Sequence, residues 1–285
     1  MLACVSPAIN FSCCFSLALF SSTAFDHEEY VFNFAHPLFF HSFICQRCKQ
    51  CCHYHDDLKR RTKEDLGHLH PRSQSGKYPT GLRQKAFVFP EPTANSYVIL
   101  NPSKPLQLTA FTLCMRVATE ETDETIIFAY RTQYYDELNL WRERNGTYSI
   151  YFSGPSIYFT IPPLNTFFTH LCVTWESKSG LTAFWVNGKR SVRKVFRKGH
   201  TIRSEGTVII GQDPDLFLGG FDINQSFVGE ISDLNMWDYI LTSNDIAALS
   251  DGYEVAKGNI FHWSDISYEI KGNVIVQPIN DYSAV

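Results

Sequence analysis

The chain has 285 residues, 44% of them hydrophobic, and a formal net charge of −4. That length and apolar fraction can bury a sizeable core, as one large domain or two small ones. The charge balance lacks the basic excess on which nucleic-acid binding draws, so no sequence-specific nucleic-acid target is expected.

In chain order, the composition changes near residue 85. Residues 1–84 hold seven of the nine cysteines and seven of the ten histidines, and carry a net charge of +2; residues 85–285 carry −6. The expected organisation is therefore an atypical N-terminal extension, 1–84, followed by a domain over 85–285.

Residues 6–25, SPAINFSCCFSLALFSSTAF, are apolar enough for the core of a secretory signal, with Ser22-Thr23-Ala24 as a fair cleavage site. The basic stretch that normally precedes such a core is missing. Ser and Asn interrupt the segment too often for a membrane span, and none is expected. The run CQRCKQCCHYH, 45–55, offers soft ligands in two C-x-x-C steps plus His53 and His55. A structural zinc site normally adds a second pair about 12 to 20 residues away. No such pair follows, so a poorly structured stretch is expected rather than a metal centre. Residues 56–81 are polar and end in Pro, Ser and Gly, which suits a linker.

From Lys85 onward the pattern becomes one of short runs. They are KAFVFP (85–90), SYVIL (96–100), FTLCMRV (111–117), TIIFAY (125–130), YSIYF (148–152), IYFTI (157–161), THLCVTWE (169–176), LTAFWVNG (181–188), TVIIG (207–211), FVGEISDLNMW (227–237) and VIVQP (274–278). They are rich in β-branched and aromatic residues and are punctuated by Gly, Pro, Asn and Ser, which predicts many short strands. An all-β sandwich or barrel is the expected class. In HLCVTWES, 170–177, a strand would put Leu171, Val173 and Trp175 on one face and Cys172, Thr174 and Glu176 on the other. Cys114 sits in a similar run. Two buried thiols or a disulfide closing a 58-residue span are both compatible with that placement.

One helix is predicted, LTSNDIAALSDG, 241–252. Thr242 or Ser243 caps it, Asp245 completes the capping pattern, Gly252 ends it, and Ile246, Ala247 and Leu249 face inward.

The stretch GQDPDLFLGGFDINQ, 211–225, crowds Asp213, Asp215 and Asp222 on one loop, with Gln225 adding an amide oxygen. Carboxylates this close repel unless a cation joins them, and oxygen-only ligands on a loop suit Ca²⁺. A solvated acidic turn is the plainer alternative. The spacing is not that of an EF-hand, since Leu218 stands sixth from Asp213 and Asn224 twelfth. No G-x-S-x-G elbow, H-E-x-x-H pair or phosphate-cradling loop is present, so no catalytic residue is assigned and no enzyme is expected. A glycosidase built on Asp213 and Asp222 would need one carboxyl in a cleft, whereas these share a loop.

His170-x-Cys172-x-Thr174-Trp175-x-Ser177 resembles the H-x-C-x-[ST]-W-x-S motif of the pentraxin family. FWVNGK (184–189), IIGQ (209–212), QSFVGEISDLNMWD (225–238) and YEIKGNVIVQP (268–278) extend the resemblance from residue 85 to near the C-terminus. It implies an antiparallel two-sheet, lectin-like jelly-roll sandwich with one short helix, a Cys114–Cys172 bridge and a ring of five subunits. It also implies a secreted protein that uses two calcium ions to recognise phosphocholine, phosphoethanolamine or carbohydrate ligands. Carried over by residue, the calcium ligands would be Asp136, Asp213, the carbonyl of Pro214, Asp215, Asp222 and Gln225, with Trp141 as an aromatic wall for a quaternary amine. Where the family has an Asp-Asn pair, this chain has Asp136-Glu137. Glu137 would then stand in as a ligand, or one calcium would be held weakly. Asn145-Gly146-Thr147 is an N-glycosylation sequon on an expected turn.

Overall fold

The computed structural model describes residues 81–253 and 255–279. The signal-like segment, the cysteine–histidine run at 45–55 and nearly all of the linker stretch lie outside the described residues.

Two antiparallel sheets stack face to face. One runs β10 (Lys189–Arg190), β9 (Leu181–Val186), β8 (Thr169–Glu176), β3 (Ala110–Ala118), β13 (Gly229–Trp237), β1 (Lys85–Phe89), β15 (Ile275–Pro278), with β11 (Lys194–Val195) also pairing β9. The other runs β14 (Ser267–Lys271), β2 (Tyr97–Asn101), β12 (Thr207–Ile210), β4 (Thr125–Arg131), β5 (Asp136–Arg142), β6 (Tyr148–Tyr151), β7 (Ser156–Phe159). Neighbours in space are often far apart in sequence, as in β3 beside both β8 and β13, which is the crossing pattern of a jelly roll.

Period-2 alternation sends one set of side chains from each sheet into the shared core, where Phe87, Leu113, Leu138, Leu140, Val173 and Trp175 are all essentially inaccessible to water. The alternate set on β3 and β8 is apolar too, because the helix α1 (Ser243–Ser250) covers it. Cys114, Cys172, Trp185, Trp237, Leu241 and Ile246 form that second cluster. Thr242 caps α1 through a reciprocal box with Asp245. The helix is shorter than the predicted 241–252: Leu241 is spent on packing, and Gly252 takes a left-handed turn beyond Asp251. Ile246 is buried in it and Leu249 packs at its edge, as expected.

Besides the two-residue strands β10 and β11, two longer strands escaped the sequence reading. β5, DELNLWR, alternates apolar Leu138 and Leu140 with Glu137, Asn139 and Trp141, and polar residues masked its period. β14, SYEIK, pairs β2 over five positions. Other strand ends move by one or a few residues; IYFTI, for example, stops at Phe159 ahead of Pro162 and Pro163.

Cys114 and Cys172 stand directly opposite each other on β3 and β8, with an S–S distance of 2.08 Å and Cα atoms 4.1 Å apart. The buried His170 lies against the bridge, its Nε2 3.6 Å from the Cys172 sulfur. Burial, with Arg116 adding to it, pushes the His170 imidazole down to about 4. Among the described residues, Cys114, His170 and Cys172 are the one close group of metal-ligating types. With both thiols consumed in the disulfide, that group cannot hold an ion.

Candidate functional site

The outer face of the second sheet carries the predicted carboxylates. β12 is followed by Gly211, whose φ of +98° and closeness to Phe89 exclude a side chain: a Cβ there would lie 2.3 Å from the ring. The chain then leaves the sheet and runs back over its outer face as the loop 212–225. Phe221 anchors this loop, packing on Tyr97 with ring centroids 4.8 Å apart and joining an apolar patch with Ile126, Ala129, Ile209 and Trp141. Trp141 is half-buried in that patch, on the same face as the acids.

Asp213 is the centre of the arrangement. It is only 7% exposed, and Asn139 donates to its Oδ1 from Nδ2 at 2.8 Å. Burial raises its carboxyl to about 7, and the charges of Asp136 and Asp215 add to the rise against the opposing pull of Arg131. Arg131 is ion-paired to Asp136. Three acids and one guanidinium thus share this face, an excess of negative charge that a divalent cation would balance. A proton on Asp213 is the cation's competitor there.

Other oxygens await partners. Gln225 Oε1 and Asn139 Oδ1 are both shielded from water and accept no hydrogen bond. A buried carbonyl oxygen with no donor costs free energy that a cation relieves. Pro214 is buried beside Asp213, and Asp215 is exposed at the start of the loop tip. Asp222 stands apart in role: its Oδ1 accepts from the Asn224 backbone N–H and side-chain amide, both at 2.9 Å, and caps the short turn Ile223–Gln225. The donor set is therefore oxygen only and fits Ca²⁺. Among the described residues, no three carboxylates bring an oxygen each within 4.8 Å of one another.

Glu137 does not fit the expectation that it stands in as a ligand. It is 0% exposed and turned away from Asp213. Arg203 donates to it from its backbone N–H at 2.7 Å and from Nη1 at 2.9 Å, and the Ser153 hydroxyl donates at 2.6 Å. The reason is a bulge. Tyr130 pairs with Leu138 and Arg131 with Asp136, so Glu137 is an extra residue with no opposite number. Asn139 is the site residue that sequence reasoning missed; its place between Leu138 and Leu140 in a period-2 pattern was the available signal.

Asn145 is exposed in the turn between β5 and β6, its Oδ1 accepting from the Thr147 backbone N–H at 3.0 Å and hydroxyl at 2.7 Å. On the opposite face, beside α1, a cleft is lined by Arg116, His170, Asp233, Trp237, Lys257 and His262. No helix of the described residues is long and apolar enough to cross a membrane.

Comparison with known proteins adds the lineage. A family model described as the Pentaxin family matches residues 85–278. C-reactive protein of Danio rerio is 54% identical over 204 residues, covering 70% of this chain and 91% of that one. Serum amyloid P-component of Rattus norvegicus is 41% identical over 204 residues, covering 70% and 87%. A solved heptameric SAP-like pentraxin from Limulus polyphemus superposes with a TM-score of 0.62 at 25% identity, covering 69% of this chain and 96% of that one. With that sandwich, that disulfide and a family match over most of its length, the chain belongs to the pentraxin family.

Proposed function

We propose that residues 85–285 form a secreted, calcium-dependent pattern-recognition domain, preceded by the extension 1–84. Its ligands are phosphocholine, phosphoethanolamine or carbohydrate groups displayed on surfaces. The observation that carries this reading is Asp213, a buried carboxylate raised to about 7 between two other acids, with the partnerless Gln225 Oε1 on the same loop. Asp136, Asp213, the Pro214 carbonyl, Asp215, Asp222 and Gln225 hold two Ca²⁺. The second ion is the weaker, because Glu137 is committed to Arg203 and Asp222 is partly spent on Asn224. Trp141 lends an aromatic face to a quaternary amine.

The disulfide and the exposed Asn145 sequon both suit an oxidising, glycosylating route of export. The subunit is a homo-oligomer, a pentamer by family resemblance. By the same resemblance Arg193 and Glu230 would pair between neighbours, while Lys198 opposite Asn273 and Glu176 opposite Gln277 would lose their pairs; the exposed Leu181, Val192 and Val195 add apolar area beside Arg193.

The test is retention on phosphocholine and phosphoethanolamine resins in calcium and in chelator. Retention in calcium alone, abolished by Asp213→Ala with Asp215→Ala, supports the reading; equal retention in both buffers removes the metal from it. The second reading is an interaction protein of this fold with a degenerate site. It is favoured by the missing Asn of the family's Asp-Asn pair, whose place Glu137 does not fill because it is held by Arg203, and calorimetry showing a folded protein that takes up no calcium would establish it.

A further inference from the structure

The acid loop is also the most apolar exposed segment of the described surface. Leu216 is 67% exposed, Phe217 47% and Leu218 42%, and Ile223 at the loop's far side is 47% exposed. Leu216, Phe217 and Leu218 lie between Asp215 and Asp222 in sequence, and Ile223 directly follows Asp222. Leu216 and Gly219 close a tight turn on each other, the N–H of each donating to the carbonyl of the other at 3.0 and 3.1 Å, so Phe217 and Leu218 are held at its tip. Leu218 sits at φ +59°, a left-handed conformation that a leucine rarely adopts. Gly220 closes the base of this turn, where a Cβ would come within 3.0 Å of Asp215 and of the Leu216 nitrogen. A strained, apolar tip facing water is what folding alone would remove, and clustered exposed apolar side chains mark an interaction surface.

We infer that this tip enters the surface of a zwitterionic phospholipid bilayer: Leu216, Phe217, Leu218 and Ile223 pass between headgroups while the cations at Asp136, Asp213 and Asp215 meet the lipid phosphates. The inference rests on the calcium reading above and deepens it. The chemistry points to lipid because two recognition elements of different kinds lie side by side. Acids that bind cations complement a phosphate, and apolar residues beside them complement the hydrocarbon just below that phosphate. A lipid interface stacks these two layers in that order. Residues 85–285 carry a net charge of −6, so bare contact with anionic lipid is repulsive and attraction has to pass through the cation. Phosphatidylcholine, with no net charge, presents the phosphate without that opposition.

The experiment compares the full-length protein with the double variant Leu216→Ser, Leu218→Ser in calcium, on phosphatidylcholine vesicles and on phosphocholine resin. The expected result is at least a tenfold loss of vesicle binding with resin retention unchanged, since the resin offers the headgroup and no hydrocarbon. In parallel, Leu218→Trp should gain fluorescence quenching by brominated phosphatidylcholine beyond that of the parent protein. Equal vesicle binding by the double variant and the parent overturns insertion. So does a parent that binds resin but not vesicles, or a double variant whose change is a smaller oligomer in the absence of lipid, which would make the tip a contact between copies of this chain. A parent that binds neither resin nor vesicles overturns the calcium reading and takes the docking with it.

Discussion

Asp136 and Asn139 are three residues apart on β5 and both act on the carboxylate of Asp213, one through its charge and the other through a 2.8 Å hydrogen bond. Residues three apart on a regular strand point to opposite faces. The bulge at Glu137 resets that phase: it turns Glu137 inward and leaves Asp136 on the outer face with Asn139.

Glu137 is therefore expected to matter for stability and not for metal. Glu137→Gln should lower the unfolding free energy by about 1–3 kcal/mol in urea titration, because Arg203 and Ser153 lose a buried, charged acceptor. Calcium affinity measured by calorimetry should stay within about twofold of the parent. A tenfold loss of affinity with little change in stability would place Glu137 in the metal site after all.

Calcium should raise the melting temperature. At a free concentration about 100 times the dissociation constant, one ion adds about 2.7 kcal/mol, or roughly 5–10 °C for a domain of this size. Asp213→Asn should abolish the rise. In chelator the same variant should melt above the parent at neutral pH, since it removes a buried charge whose pKa of about 7 marks its ionised form as disfavoured. Scanning calorimetry of the two proteins in both buffers checks all of these outcomes.

The Cys114–Cys172 bridge closes a span of 58 residues. In the chain-entropy model its loss costs about 4 kcal/mol, so Cys114→Ala with Cys172→Ala should fall sharply in urea midpoint. The bridge lies in the other sheet from the acid loop. Below the new melting temperature, calcium uptake should therefore be preserved; its loss would show that the two sheets are coupled more tightly than the packing indicates.

His170 gives a pH dependence of definite sign. Its folded pKa, about 4, lies below the ordinary value of 6.5, so the folded protein keeps the ring neutral while the unfolded chain protonates it. Stability is then complete above about pH 6.5 and declines as pH falls toward 4, by up to about 3 kcal/mol. The difference between parent and His170→Gln, followed by urea unfolding across that range, should shrink by this amount on acidification. A pH-independent difference would mean that the ring is not desolvated.

Much of the architecture is legible in the residues because burial on both sides of β3 and β8 leaves runs such as FTLCMRV and THLCVTWE almost wholly apolar or small. The helix is legible for a local reason, the Thr242–Asp245 box. β5 is not, because its polar residues serve the two environments on either side of it, the Arg203 pocket and the acid loop, and so dilute the strand signal. The role of Asn139 was hidden with it. Glu137 shows the deeper limit: which face a side chain takes beyond a bulge depends on pairing with β4, a strand several residues upstream, and no pattern within DELNLWR encodes it. Asp213 and Asp215 could be picked out from spacing, but that Asp222 is occupied with Asn224 is a matter of loop conformation.

The helix clads one outer surface of the sandwich and the acid loop the other, so the subunit has a front and a back. Copies arranged around an axis perpendicular to the sheets would all point their loops the same way, as a planar array. In such an array each contact could be feeble on its own, because a target displaying many copies of a ligand would engage several loops at once and the later ones would bind at the high effective concentration set by the first. Such geometry discriminates crowded from isolated ligands by avidity, a selectivity that no single subunit possesses.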